Sequence, residues 1–196
     1  MSERTLVHPL FVRLIHWINA VAVLVMIASG WAIYNADPIL PFRFPAGATL
    51  GGGFIGALRW HFAAMWLFAA NAVAMLAYGL ISGRYARKLK PPSPRAFLAE
   101  VGDALRGRLS HDLTQYNAVQ RSLYAAALVG IACAFVSGLA IWKPVQFGVL
   151  TTLLGDFDNA RIWHFAAMCS LAAFFVIHVA MATLVPRSLL AMLRGR

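Results

Sequence analysis

Apolar residues in this chain run together in four long blocks, at roughly 10–34, 60–81, 122–142 and 162–185. Each block reaches the ~20 residues needed to cross the hydrocarbon of a bilayer and is too long for a strand. Backbone in lipid must close its own hydrogen bonds, so each block is predicted to be a helix. The first block is longer than the roughly 7–15-residue apolar core of a secretory leader. It also contains His16 and Asn19, so it reads as a retained span. Between the first two blocks, the segment PILPFRFPAGATLGGG predicts an irregular loop from its prolines and glycines. Between the middle two, Ser93 and Pro94 suit an N-cap and a first helical position. Phe97, Leu98, Val101 and Leu105 then fall on one face, which predicts a short amphipathic helix on the cytoplasmic membrane surface. A solvated connector is the alternative. The expected fold is an all-α integral membrane protein: a four-transmembrane-helix bundle in one domain spanning residues 1–196.

Composition narrows the class. Hydrophobic residues make up 61% of the 196 positions and charged residues 12%, against about 25% charged in soluble domains. That excludes disorder and argues against a water-soluble globule. The formal net charge of +10 would suggest nucleic acid in a soluble protein. Here the distribution points elsewhere. Arg4 and Arg13 lie at the N-terminus. Arg84, Arg87, Lys88, Lys90, Arg95, Arg106, Arg108 and Arg121 border or fill the middle loop, and Arg187, Arg194 and Arg196 lie in the tail. Only Arg43, Arg59, Lys143 and Arg161 belong to the other two loops. Positive charge collects on the cytoplasmic side, so both termini are expected in the cytoplasm of a bacterial inner membrane protein, with no nucleic-acid partner. Cys133 and Cys169 fall inside apolar blocks and suit free thiols rather than a disulfide.

The chain repeats itself. WHFAAM occurs at 60–65 and 163–168, and SGxAI at 29–33 and 137–141, in the same order. This predicts a duplicated helical hairpin. Overlaying the halves matches His61 with His164, Met75 with His178, and His16 with Tyr124.

Ionisable side chains inside a bilayer are costly and mark function by default. Four of the six histidines lie in the spans: His16, His61, His164 and His178. His16 stands near the cytoplasmic end of the first helix. His61 and His164 stand near the periplasmic starts of the second and fourth. His178 follows His164 by fourteen residues, almost four turns, and therefore shares its face ~21 Å deeper. The histidines pair by level, His61 with His164 and His16 with His178. Two cross-helix pairs at two depths suit two haems b, each iron held by two imidazoles. With both axial positions filled, the chemistry is electron transfer, and no catalytic residue is expected. Gly30 and Gly138 face the periplasmic pair and are candidates for haem clearance, or for helix packing. The competing reading of lone core histidines fails to explain the matched depths. A histidine-lined transporter would call for acidic partners in the spans, and all seven Asp and Glu lie outside them.

The motifs RLIHW, RWHF, YNAVQR, VSGLAIWKP, IWHFAAM and VIHVAMA, spread over nearly the whole chain, resemble a known family. It comprises the di-haem cytochrome b subunits of membrane-bound formate dehydrogenases, nickel–iron hydrogenases and thiosulfate-reductase-like molybdenum oxidoreductases. The resemblance implies that His61 and His164 ligate the periplasmic haem, and His16 and His178 the cytoplasmic one. It implies quinone chemistry near the latter, with Asn117 as the quinone contact beside Tyr116 and Gln120. An N-cap is the alternative role for Asn117. The chain departs from stand-alone cytochromes with a histidine on the third helix, because Tyr124 stands there. The repeated WHFAAM and the short tail resemble cytochromes paired with sulfite-oxidase-like molybdenum proteins.

Arg13 and Arg121 near the cytoplasmic pair, and Arg59 and Arg161 near the periplasmic pair, are candidates for propionate contacts, as are the indoles of Trp60 and Trp163. Snorkelling arginines and an aromatic belt are the alternative. His8 and His111 are read as non-ligands, with His111 a candidate proton relay. Met75 is a candidate for packing on the cytoplasmic haem. The resulting expectation is a transmembrane electron-transfer subunit joining a periplasmic redox enzyme or electron carrier to the quinone pool. A stand-alone haem b quinone oxidoreductase using superoxide or another small donor comes second, and a transporter third.

Overall fold

A computed structural model describes residues 8–83, 93–106 and 118–195. Tyr116, Asn117 and His111 lie outside them. The described residues form helices α1 (Leu10–Ala36), α2 (Phe54–Ile81), α3 (Pro94–Leu105), α4 (Ala118–Trp142), α5 (Gly148–Leu153), α6 (Phe157–Leu184) and α7 (Pro186–Arg194). A single 3-10 turn at Ala46–Ala48 interrupts the α1–α2 loop. Helices α1, α2, α4 and α6 are each long and apolar enough to cross a membrane. The chain divides into two compact units, residues 1–84 with 189–196, and residues 85–188. Each is built round one helical hairpin.

In the first unit α1 and α2 are antiparallel: Ser29, late in α1, meets His61, early in α2, while Asn19 meets Asn71. The seam consists of small side chains. Ala22 and Ser29 of α1, and Ala57 and Ala64 of α2, are buried. Each pair is seven residues apart, two turns along one face. Lipid is as apolar as leucine, so helices gain little by hiding leucine from it; small residues instead let the backbones approach closely. The large side chains Val21, Leu24, Trp66, Val73 and Leu80 point outward. The connecting loop closes on Gly51, whose φ of +116° belongs to the left-handed region. A Cβ there would lie 2.3 Å from the backbone nitrogen of Ala57, so only glycine fits. Asn35 holds both backbone groups of Phe44, at 2.9 and 2.8 Å. Trp31 stacks on the Phe44 ring at 4.6 Å.

The end of α7 returns to the start of α1. The backbone N–H of His8 donates to the Gly195 carbonyl at 3.3 Å. The Arg13 guanidinium donates to the carbonyls of Met192 (3.2 Å) and Leu193, acceptors that a helix C-terminus leaves without intrahelical partners.

The second unit repeats the hairpin with α4 and α6. Gly130 and Ser137 stand where Ala22 and Ser29 stand, and Ala160 and Ala167 where Ala57 and Ala64 stand; all four are buried. Helices α2 and α6 are both 28 residues long, and the histidine of WHFAAM is the eighth residue of each. The predicted duplication therefore extends from two short strings to the small-residue seam of each hairpin. The halves diverge at the other end, where Asn19 and Asn71 are replaced by Ala127 and Phe174.

Three helices begin earlier than their apolar blocks: α2 at Phe54, α4 at Ala118 and α6 at Phe157. The blocks mark what lipid covers, whereas a helix continues through the interfacial region to its cap. For α6 that cap is Asp156, which accepts from the Asn159 backbone N–H at 2.7 Å. Helix α3 starts at Pro94, where the Ser-Pro signal predicted it. Helix α7 was not expected; Pro186 supplies its first position, where the missing N–H costs nothing.

Candidate functional site

Each hairpin holds one histidine against one serine. In the first unit, Ser29 Oγ lies 2.6 Å from the Val25 carbonyl and 3.1 Å from His61 Nδ1. In the second, Ser137 Oγ lies 2.6 Å from the Cys133 carbonyl and 3.2 Å from His164 Nδ1. A hydroxyl carries one proton. The short bond to the carbonyl four residues back uses it, so each serine oxygen accepts from the imidazole. His164 Nδ1 also lies 3.0 Å from the Ala134 carbonyl, which can only accept. Both rings are therefore Nδ1–H donors, and the lone pair of the neutral ring sits on Nε2.

Neighbouring glycines face the same rings. A Cβ on Gly30 would meet His61 Cε1 at 3.7 Å, and one on Gly138 would meet His164 Cε1 at 3.2 Å. The glycine of each SGxAI string thus faces the edge of an imidazole. The serine one position earlier was not singled out from sequence, although its presence in both strings was the available signal.

The remaining histidines sit at the far ends of their helices. His16, in the second turn of α1, is half-buried and meets Trp17 edge-on at 5.3 Å. His178 is half-buried in α6 and stacks with Phe174 at 5.7 Å; the Tyr124 ring meets Phe174 edge-on at 6.2 Å. In each hairpin the serine-bound histidine lies near the α1–α2 or α4–α6 connection, and His16 and His178 lie toward the opposite end.

Among the charged candidates, Arg13 is engaged with the α7 carbonyls described above. Arg59 is exposed and Arg121 half-buried. Arg161 lies 3.5 Å from Asp158, one turn away on the same helix. Trp60 and Trp163, at equivalent positions, are both 51% exposed, the placement of an interfacial aromatic belt. Gln120 is half-buried in the first turn of α4. Among the described residues, no group of three His, Cys, Asp or Glu side chains gathers to hold a bare metal ion.

This donor set fits haem b. A porphyrin supplies four of the iron ligands itself and asks the protein only for single imidazoles with the lone pair on Nε2. His61 and His164 are set in that tautomer within apolar helices, whose one carboxylate, Asp158, lies in the first turn of α6.

Comparison with known proteins agrees. A family model described as prokaryotic cytochrome b561 matches residues 7–195. The chain is 50% identical over 190 residues to a putative protein-methionine-sulfoxide reductase subunit, YedZ1, of Azospira oryzae, covering 96% of each chain. It is 26% identical over 195 residues to a probable Ni/Fe-hydrogenase B-type cytochrome subunit of Cupriavidus necator, covering 90% of this chain and 78% of that one. A subunit of the same description from Azotobacter vinelandii is 24% identical over 188 residues, with 87% and 76% covered.

Proposed function

The chain belongs to the prokaryotic cytochrome b561 family of multi-pass bacterial membrane haem proteins, and on that premise we propose that it is a di-haem electron-transfer subunit linking the quinone pool to a periplasmic redox enzyme. The observation that carries this reading is the repeated serine–glycine–histidine arrangement, one in each hairpin. His61 and His164 would hold one haem b, and His16 and His178 a second. When bound, each haem would supply one-electron transfer. The four imidazoles would hold the two groups, and the apolar helices around them would exclude water.

Positive charge at the termini and around α3 supports cytoplasmic ends. That orientation sets His61 and His164 on the periplasmic side, close to the partner, and His16 and His178 on the cytoplasmic side. The quinone site belongs at the latter level, with Tyr116, Asn117 and Gln120 as its polar contacts. Arg13, Arg121, Arg59 and Arg161 would be the cations nearest the haem propionates. Gly30 and Gly138 lie at the periplasmic haem level.

The partner class follows the 50% identical relative: a reductase acting on oxidised methionine in proteins. Returning methionine sulfoxide to methionine and water takes two electrons and two protons, and oxidation of one quinol to quinone releases the same number. In this reading the chain passes those electrons one at a time from quinol to the reductase.

Purified protein should show low-spin b-type bands in reduced-minus-oxidised spectra. Haem quantitation on His16→Ala and His61→Ala should show loss of about one haem each, by the logic of axial ligation. A colourless protein, or either variant retaining both haems, overturns the reading. Co-purification with a periplasmic reductase supports the partner assignment. Quinone reduction driven by superoxide in its absence would instead make the chain a stand-alone oxidoreductase.

A further inference from the structure

The serines that touch the histidines are not explained by helix packing alone. Ser29 and Ser137 are both fully buried, at 0% exposure. Each satisfies its own proton on the carbonyl four residues back, as serines in membrane helices commonly do. That bond would suffice to bury a hydroxyl. Yet each oxygen also lies within hydrogen-bond distance of Nδ1 of a histidine on the facing helix, at 3.1 and 3.2 Å. The two contacts recur, one in each hairpin, while several repeat-related positions toward the other end of the helices have changed. Asn19 has become Ala127, Asn71 Phe174, His16 Tyr124 and Met75 His178. Against that divergence, the serine, the glycine after it and the facing histidine are the same in both halves.

We propose that Ser29 and Ser137 are positioning residues for the axial imidazoles, fixing the tautomer and ring plane of His61 and His164 and lowering the reduction potential of the haem they hold. The inference rests on the haem-ligand reading above. Its physical basis is the direction of the hydrogen bond. Because each serine proton is committed to a carbonyl, the oxygen draws on the imidazole N–H. An Nδ1–H that donates leaves more electron density on Nε2, the ligating atom, and a more basic ligand stabilises ferric over ferrous iron. The same contact stops rotation of the ring about its bond to Cβ, so it also fixes the plane of each imidazole within its hairpin. For His164 the Ala134 carbonyl at 3.0 Å acts in the same sense, and Ser137 adds to it.

The test is a redox titration of the haem-loaded, full-length protein with its low-spin ferric EPR spectrum, which reports the angle between axial ring planes. Ser29→Ala and Ser137→Ala should move one haem wave to a more positive midpoint and change its EPR signal, leaving the other wave in place. Ser29→Thr and Ser137→Thr, which keep the hydroxyl, should return the midpoint toward the parent value. Should the alanine variants fail to accumulate, Ser29→Cys and Ser137→Cys offer a similar volume with a weaker acceptor and should shift the wave in the same direction. Alanine variants with parent midpoints and parent EPR signals overturn the inference and leave the haem reading standing. Shifts in two different waves would support the positioning role and overturn the pairing of His61 with His164. A parent protein without haem overturns the functional reading first, and this inference with it.

Discussion

The two glycines of the repeat make a matched experiment, because the same substitution meets different space. At Gly30 an added Cβ finds His61 Cε1 at 3.7 Å, an ordinary van der Waals distance. At Gly138 it finds His164 Cε1 at 3.2 Å and Nδ1 at 3.5 Å, so the ring must retreat by a few tenths of an ångström. It cannot retreat cheaply, since Nδ1 is held by the Ser137 oxygen and the Ala134 carbonyl. Replacing a mid-helix glycine by alanine gains roughly 1 kcal/mol of helix propensity, and overpacking costs roughly 1–3 kcal/mol. Gly30→Ala should therefore be neutral or stabilising by up to about 1 kcal/mol, while Gly138→Ala should range from neutral to about 2 kcal/mol destabilising on the same balance. Displacement of an axial ring should also lower haem retention in Gly138→Ala. The assay is thermal unfolding of detergent-purified protein, with the haem-to-protein ratio measured alongside. Equal loss of stability in the two variants would falsify the packing argument. A Gly30→Ala protein that folds stably but lacks one haem would refute it differently, by placing the porphyrin rather than the imidazole against that glycine.

Other consequences follow from particular contacts. Gly51→Ala combines a strained positive φ, worth about 1–3 kcal/mol, with a Cβ driven onto the Ala57 backbone; accumulation and melting temperature should both fall sharply, and a parent-like melt would contradict the loop geometry. The Asn71–Asn19 bond at 3.0 Å should give a coupling of about 0.6 kcal/mol, at most about 1.7, in a double-mutant cycle with alanine, the range of hydrogen bonds between membrane helices. Arg13→Gln should loosen the C-terminal helix without unfolding the hairpin, seen as faster amide exchange over 189–195; unchanged exchange would mean that the guanidinium does not hold α7. Asp156→Ala should cost about 1 kcal/mol through loss of the α6 N-cap, and Asp156→Asn, which keeps the acceptor, should restore most of it.

The spans, the duplication and the histidines could be read from the chain because each rests on a local quantity. Bilayer thickness fixes how many apolar residues a helix needs, and 3.6 residues per turn fixes which of them share a face. His164 and His178 lie fourteen apart on one helix, and no tertiary contact is needed to align them. Repetition of WHFAAM and SGxAI likewise announced two equivalent hairpins before any contact between their helices was known. Local rules also reached α3, through Ser93 and Pro94, but not α7, whose single buried residue, Ala191, is defined by what it packs on.

What sequence left undecided is how one helix face meets another. Buried serines in apolar helices ordinarily bond backward to their own carbonyls, and Ser29 and Ser137 do so. Nothing in that local habit reveals a facing imidazole, because the contact joins residues 32 and 27 positions apart. Arg13 is a still longer case: the fold brings the carbonyls of Met192 and Leu193 to its guanidinium from the far end of the chain. Amino-acid order determined the spans, their duplication and the place of each histidine along its helix, because hydrocarbon thickness and helical pitch act on residues close in the chain. Tertiary structure alone decided which atom of each imidazole donates and where each arginine spends its charge, because those bonds depend on surfaces that come together only once the helices pack.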